Sequence, residues 1–223
     1  VKTFRYNNFA ELETLILNFD IGVIKMEVQR NEPPKDNFLK NVRKIATDKG
    51  ITLVFDECTS GFRETFGGLH KKYGVEPDMA IFGKALGNGY AINAIIGRKE
   101  VMEAAQSTFI SSTFWTERIG PTAAMKTLEV MEREKTWKYI TDTGVTINNH
   151  WQQLADRHGL TLSTWGPPAL TGFTIQSENE LAYKTLISQE MLYKGYLAGN
   201  SVYVCTEHKQ VELDGYFQAL DSV

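Results

Sequence analysis

Cysteine is nearly absent from this chain: 223 residues contain only Cys58 and Cys205. Two distant thiols without metal-like spacing exclude a disulfide framework and point to a reducing compartment, the cytoplasm. No excess of positive charge is present either. The formal net charge is −3, which gives no electrostatic reason to bind nucleic acid or an anionic membrane. No apolar run approaches the ~20 residues that span a bilayer. A basic-then-apolar leader with a small-residue cleavage site is also missing, so no secretory signal is expected. Internal repeats and low-complexity stretches are lacking, and the chain starts with Val1 rather than Met, as a fragment would. The apolar share of 42% and charged share of 23% are those of an ordinary globular protein able to bury a core.

Periodicity sets out the organisation. Asn8-Phe9-Ala10-Glu11 reads as a capping box opening a helix to about Leu17. A strand over Ile21 to Val28 is broken by Pro33-Pro34, and a helix from Asp36 carries Leu39, Val42, Ile45 and Ala46 on one face until Gly50 stops it. Ile51 to Phe55, Met79 to Phe82 and Ala91 to Ile96 are near-continuous apolar runs. Helices alternating with such strands predict a largely parallel sheet covered on both faces, followed by a long helix from about Gly120 to Arg133. From about Lys135 the character changes to α+β. A polar amphipathic helix reaches Arg157, and two strands flank Gly166-Pro167-Pro168. A helix from about Asn179 to Lys194, a short strand at Ser201 to Cys205 and a last helix complete the chain. The expected division is therefore 1–134 and 135–223.

Two of the apolar runs end in ionisable residues. Leu53-Val54-Phe55 runs into Asp56-Glu57, and Ala80-Ile81-Phe82 runs into Gly83-Lys84-Ala85-Leu86-Gly87-Asn88-Gly89-Tyr90. Strands of an α/β sheet present their ligands at the carboxyl edge. A carboxylate and an amine delivered there suit a cofactor with a basic ring nitrogen at one end and an aldehyde at the other, which is pyridoxal 5'-phosphate. Lys84, set among small residues that admit a bulky ring, can condense with the aldehyde as a Schiff base and then shuttle a proton. Taken alone, Lys84 could be a solvated loop charge, as most lysines are, and Asp56 reads better as a strand-end cap or the acid of an ion pair.

The Asp56-Glu57-x-x-x-Gly61-Phe62-Arg63 stretch, Gly83 to Tyr90, and Ser112-Thr113-Phe114-Trp115-Thr116-Glu117-Arg118-Ile119-Gly120-Pro121 together resemble the class III aminotransferases, nearest the glutamate-1-semialdehyde aminomutase-like branch. Asp56 and Lys84 lie 28 positions apart, as that family has them. The likeness runs from about Phe4 to nearly the last residue. Members are longer at the N-terminal side, so the chain resembles the C-terminal half of such an enzyme. The resemblance implies fold type I of the pyridoxal-phosphate transferases: an α/β unit, part of the large mostly parallel-sheet domain, followed by a small α+β C-terminal domain. It implies Lys84 as the catalytic Schiff-base lysine and Asp56 as the partner of the ring nitrogen. It puts Cys58, where the family has Val, on the ring face.

Thr116, five residues before Pro121 at an expected helix start, is implied as a ligand of the cofactor phosphate in the neighbouring subunit, hence a homodimer with shared active sites. Ile119-Gly120 replaces the family's Gly-Asn there, and Trp115 is a trait of the branch. As a plain reading, Thr116 is an N-cap. Glu57 is expected to pair with a nearby cation. Glu27 and Arg30, after a strand with Val28 in place of the family's proline, either line the substrate entrance or are strand-end charges.

The implied partners are a small-molecule amino donor and a keto or aldehyde acceptor, in transamination or in an intramolecular 2,1-amino shift. Two other classes compete. A fragment lacking the rest of the phosphate contacts and the ring-stacking partner would be inactive or a non-catalytic interaction protein. A nucleoside triphosphatase would need G-x-x-x-x-G-K-[ST], but Asp78 stands where the first Gly belongs and Ala85 follows Lys84.

Overall fold

The computed structural model describes residues 1–223, which divide into two compact units, Val1–Glu134 and Lys135–Val223. The first unit opens with α1 (Phe9–Asn18), capped by the Asn8 side chain, which accepts the Glu11 N–H at 3.1 Å. The reciprocal half of the expected capping box does not form, because the Glu11 carboxylate takes the backbone N–H and guanidinium of Arg5 instead.

Three parallel strands follow: β1 (Val23–Glu27), β2 (Thr52–Asp56) and β3 (Met79–Phe82). A fourth, β4 (Ala94–Gly97), pairs antiparallel with β3 and closes the order β1-β2-β3-β4. Helix α2 (Phe38–Lys49) makes the crossover from β1 to β2. It stops at Gly50, whose φ of +67° is the left-handed conformation that suits a residue without Cβ. Short helices α3 (His70–Tyr73) and α4 (Lys99–Met102) precede β3 and follow β4, and α5 (Ile119–Glu134) ends the unit.

Alternation along the strands decides which face is core. Ile24, Met26, Leu53 and Phe55 share one face and pack on Leu12 of α1 and on Phe38, Leu39, Val42 and Ala46 of α2. Burying side chains of that size contributes roughly 1.5–3 kcal/mol each. Further along the same face, Ala80 and Phe82 meet Ala124 of α5, with Leu128 and Met131 against them. The expected cover on both faces is found only in part, since on the opposite face just Met102 of the short α4 comes against the sheet, beside Met79 and Gly97. The opposite face leaves Val23 57% and Ile95 54% exposed, because none of α1, α2 and α5 packs there. At the amino end of β3, Asp78 accepts the Leu53 N–H, Arg43 and Arg98, each at 2.8 Å, which locks β3 against β2.

In the second unit, α6 (Thr136–Arg157), α7 (Glu180–Tyr193) and α8 (Gln210–Asp221) accompany an antiparallel sheet in the order β5 (Leu162–Trp165), β6 (Leu170–Ile175), β7 (Ser201–Tyr203). Trp151 fills its core beside Phe173, and the indole N–H donates to the Tyr216 hydroxyl at 2.9 Å. No helix of the chain is long and apolar enough to cross a membrane.

Candidate active site

The parallel register brings the carboxyl ends of β1, β2 and β3 side by side: Glu27 is level with Asp56, and Asp56 with Ile81. Asp56 closes β2. Its Oδ2 accepts the Lys25 ammonium of β1 at 2.9 Å, and its Oδ1 accepts the Cys58 N–H at 3.2 Å. Burial pushes the Asp56 carboxyl up, but the Lys25 ammonium and the Cys58 N–H outweigh it and hold the group below the usual carboxylate range. Asp56 is therefore an ionised carboxylate.

Beyond β3, Gly83 is extended and leads into a 3₁₀ turn, Lys84–Leu86. Gly83 makes room for its neighbours: a Cβ there would lie 2.4 Å from Asn93 Oδ1 and 3.3 Å from Cys58 Sγ, so those side chains would have to shift. Lys84 itself has φ +41°, a left-handed conformation rare for a residue with a side chain and one that collects at functional sites. Its ammonium donates to Thr59 Oγ1 at 2.8 Å, in the turn that follows Asp56. Asp56, Cys58, Thr59 and Lys84 thus occupy one patch of the sheet's carboxyl edge. Burial raises the Cys58 thiol above its ordinary value, and the Asp56 carboxylate adds to the rise, so the sulfur is a neutral packing group.

Glu57 points the other way, into the interior. It takes the His70 ring Nδ1 at 2.9 Å, the N–H groups of Leu69 and His70 at 3.0 Å each, and the Ser60 hydroxyl. These bonds tie the turn after β2 to α3 and so fix where Asp56, Cys58 and Thr59 point. Glu27 and Arg30 pair with each other at 3.1 Å.

Thr116 is exposed and lies three residues ahead of α5. At the helix start the Glu117 carboxylate accepts the N–H groups of Ile119 and Gly120. A side-chain carboxylate at a helix N-terminus wins that position locally. The segment that carries Thr116 exposes several large apolar side chains: Phe109 is 95% and Trp115 69% exposed, and Ile110, Phe114 and Ile119 are exposed as well.

Sequence reasoning missed Lys25 and Thr59. Lys25 had a signal: it interrupts an apolar parallel strand, and alternation puts it on the face of Val54 and Asp56. Thr59 had none, because the turn conformation alone brings its hydroxyl to Lys84.

The family model described as "Aminotransferase class-III" matches residues 31–207. Among curated proteins, the chain is 33% identical to a 3-aminobutyryl-CoA aminotransferase of Cloacimonas acidaminovorans, over 94% of this chain and 54% of that protein. It is 31% identical to a glutamate-1-semialdehyde 2,1-aminomutase of Methanococcus maripaludis, over 77% of this chain and 42% of that protein. The chain spans about half the length of the curated relatives it matches. Among solved structures, the pyridoxal-phosphate internal aldimine form of the FumI protein of Sphingopyxis sp. superposes with a TM-score of 0.92 at 22% identity, covering 100% of this chain and 56% of that one. An omega-transaminase from Sphaerobacter thermophilus superposes with a TM-score of 0.86 at 20% identity, over 97% of this chain and 55% of that one. The fold is therefore that of the fold type I transferases.

Proposed function

The chain belongs to the class III aminotransferase family, and from that premise we propose that it carries the lysine and carboxylate part of a pyridoxal-phosphate site and that the protein transfers amino groups. The observation that carries this reading is that an ionised Asp56 at the end of β2 and a conformationally strained Lys84 in the turn after the neighbouring β3 lie at one edge of the sheet, joined through Thr59. The residues fit the cofactor. The ring nitrogen calls for a carboxylate, which Asp56 supplies. The aldehyde calls for an amine in a spacious turn, which Lys84 and Gly83 supply, and Cys58 offers an apolar surface to a ring face.

Bound there, pyridoxal phosphate supplies an electron sink for the carbanion left when a substrate carbon loses its proton. Asp56 holds a proton on the ring nitrogen through its negative charge. Lys84 Nζ, as the free amine, takes the proton from the substrate carbon and returns it at the acceptor position. Thr59 Oγ1 accepts a hydrogen bond from Nζ and steers that amine towards the Asp56 side of the turn.

In this reading residues 1–134 are the C-terminal part of the large cofactor-binding domain and 135–223 the small C-terminal domain. The protein works as a cytoplasmic homodimer. The exposed large apolar side chains Phe109, Ile110, Phe114, Trp115 and Ile119 support the dimer, since apolar side chains exposed close together along the chain suit an interface. Thr116 within it would reach the cofactor phosphate of the neighbouring subunit. The substrates are an amino donor and a keto or aldehyde acceptor. An intramolecular amino shift is the second reading, favoured by the likeness to the Methanococcus aminomutase.

A panel of amines and keto acids tests the proposal and separates its two forms. Transfer gives an amine product only when an external acceptor is supplied, whereas an intramolecular shift proceeds without one. Saturable cofactor binding with neither activity would count against both.

A further inference from the structure

The sheet face opposite α1 and α2 holds Val23, Lys25 and Glu27 of β1 beside Thr52, Val54 and Asp56 of β2. Lys25 stands level with Val54, one pleat short of Asp56, and its stem runs along the sheet to place Nζ 2.9 Å from Asp56 Oδ2. Glu27, next on the same face of β1, gives its Oε1 to Arg30 at 3.1 Å and adds its charge to the field at Lys25, but the hydrogen bond of the ammonium goes to Asp56. Asp56 Oδ1 is meanwhile fixed by the Cys58 N–H. Both carboxylate oxygens have a partner before any ligand arrives. The hydrogen bond and charge of Asp56 in turn raise the Lys25 ammonium above its ordinary value.

A ring N–H that meets Asp56 must therefore share the carboxylate with an ammonium. Sharing has two effects. The carboxylate plane is set at both oxygens. The nearby positive charge also opposes a second positive charge on the ring, so the ring nitrogen is less basic than it would be beside an unshared aspartate. We propose that Lys25 is a positioning residue for the amino-transfer chemistry put forward above, a reading on which this inference rests: it orients Asp56 and limits the negative charge that Asp56 offers the cofactor ring nitrogen. The other charged or titratable groups around this carboxylate are Glu27 on β1, Cys58 in the turn after β2 and Lys84 after β3.

Lys25→Met keeps the stem and removes the charge, and Lys25→Arg keeps the charge. Carbon-13 NMR follows the Asp56 carboxyl through a pH titration of the cofactor-free protein. Nitrogen-15 NMR with ring-labelled pyridoxal phosphate reads the ring proton in the loaded protein. Lys25→Met should move the Asp56 midpoint upward and raise the pH at which the ring nitrogen loses its proton, and Lys25→Arg should restore both. A lysine with a merely structural role would alter melting and leave both titrations where they were. An unmoved Asp56 midpoint or an unmoved ring titration in Lys25→Met overturns the proposal. If the unmodified protein fails to bind pyridoxal phosphate, the parent reading falls and takes this role with it. That failure is told apart because it appears before any substitution at Lys25.

Discussion

Glu57 and His70 face each other in the interior of the first unit, with Oε1 2.9 Å from the ring Nδ1 and the Glu57 side chain 0% exposed. Consecutive carboxylates at the end of β2 thus have opposite fates. Asp56 looks out at the carboxyl edge, and Glu57 is enclosed and holds the turn that aims it.

Removing Glu57 leaves His70, Ser60 and two backbone N–H groups without their acceptor. Breaking a buried charge-bearing network from one side costs about 3–5 kcal/mol. Glu57→Ala should lose stability of that order in denaturant unfolding, and a loss within error would show the network to be dispensable.

Acid should weaken the same unit. Burial pushes the Glu57 and Asp78 carboxyls up, but hydrogen bonds from His70 and Ser60 to Glu57, and from the Leu53 N–H, Arg43 and Arg98 to Asp78, outweigh it and leave both below their ordinary values. A folded carboxyl that is lowered in this way binds its proton less readily than the unfolded chain does. Its stabilisation is complete above the ordinary carboxylate range and is lost as the pH falls through the lowered folded values. Unfolding free energy measured against pH should decline on that acid side, and Asp78→Asn should flatten the decline. An identical slope in the variant would contradict the assignment.

Asp56→Asn keeps the size of the side chain and loses its charge. Removing one electrostatic interaction of this kind typically costs on the order of 10²–10³ in rate. Steady-state kinetics of the variant should show the loss in kcat. A near-native kcat would make Asp56 a strand cap.

Much of the first unit was readable before the structure. Apolar β-branched runs marked β2 and β3, and the positions of Asp56 and Lys84 at their ends follow from strand length alone. Gly50 and the Leu39, Val42 and Ala46 stripe marked α2. Three things were not readable. The open sheet face was hidden because near-continuous apolar strands look the same whether or not the chain supplies both covers. The antiparallel direction of β4 was hidden because an apolar run carries no polarity. The cap of α5 was hidden because the Glu117 carboxylate reaches the Ile119 and Gly120 N–H groups only through the local turn geometry.

Shared sites make a prediction that single variants cannot. Lys84→Ala and Thr116→Ala should each be inactive or nearly so. Mixed and allowed to exchange subunits, they should recover part of the activity, because a hybrid dimer holds one site with both residues intact. Absence of recovery where exchange is demonstrated by mass would place Thr116 outside the partner's site.

Identification of the lysine that holds the cofactor tests the central claim most directly. The native protein is loaded with pyridoxal phosphate, reduced with borohydride, digested and mapped by mass spectrometry. The account predicts a single fixed cofactor on the peptide containing Lys84, absent from Lys84→Ala. A fixed cofactor on Lys25 or on any other lysine, with Lys84 unmodified, would contradict it.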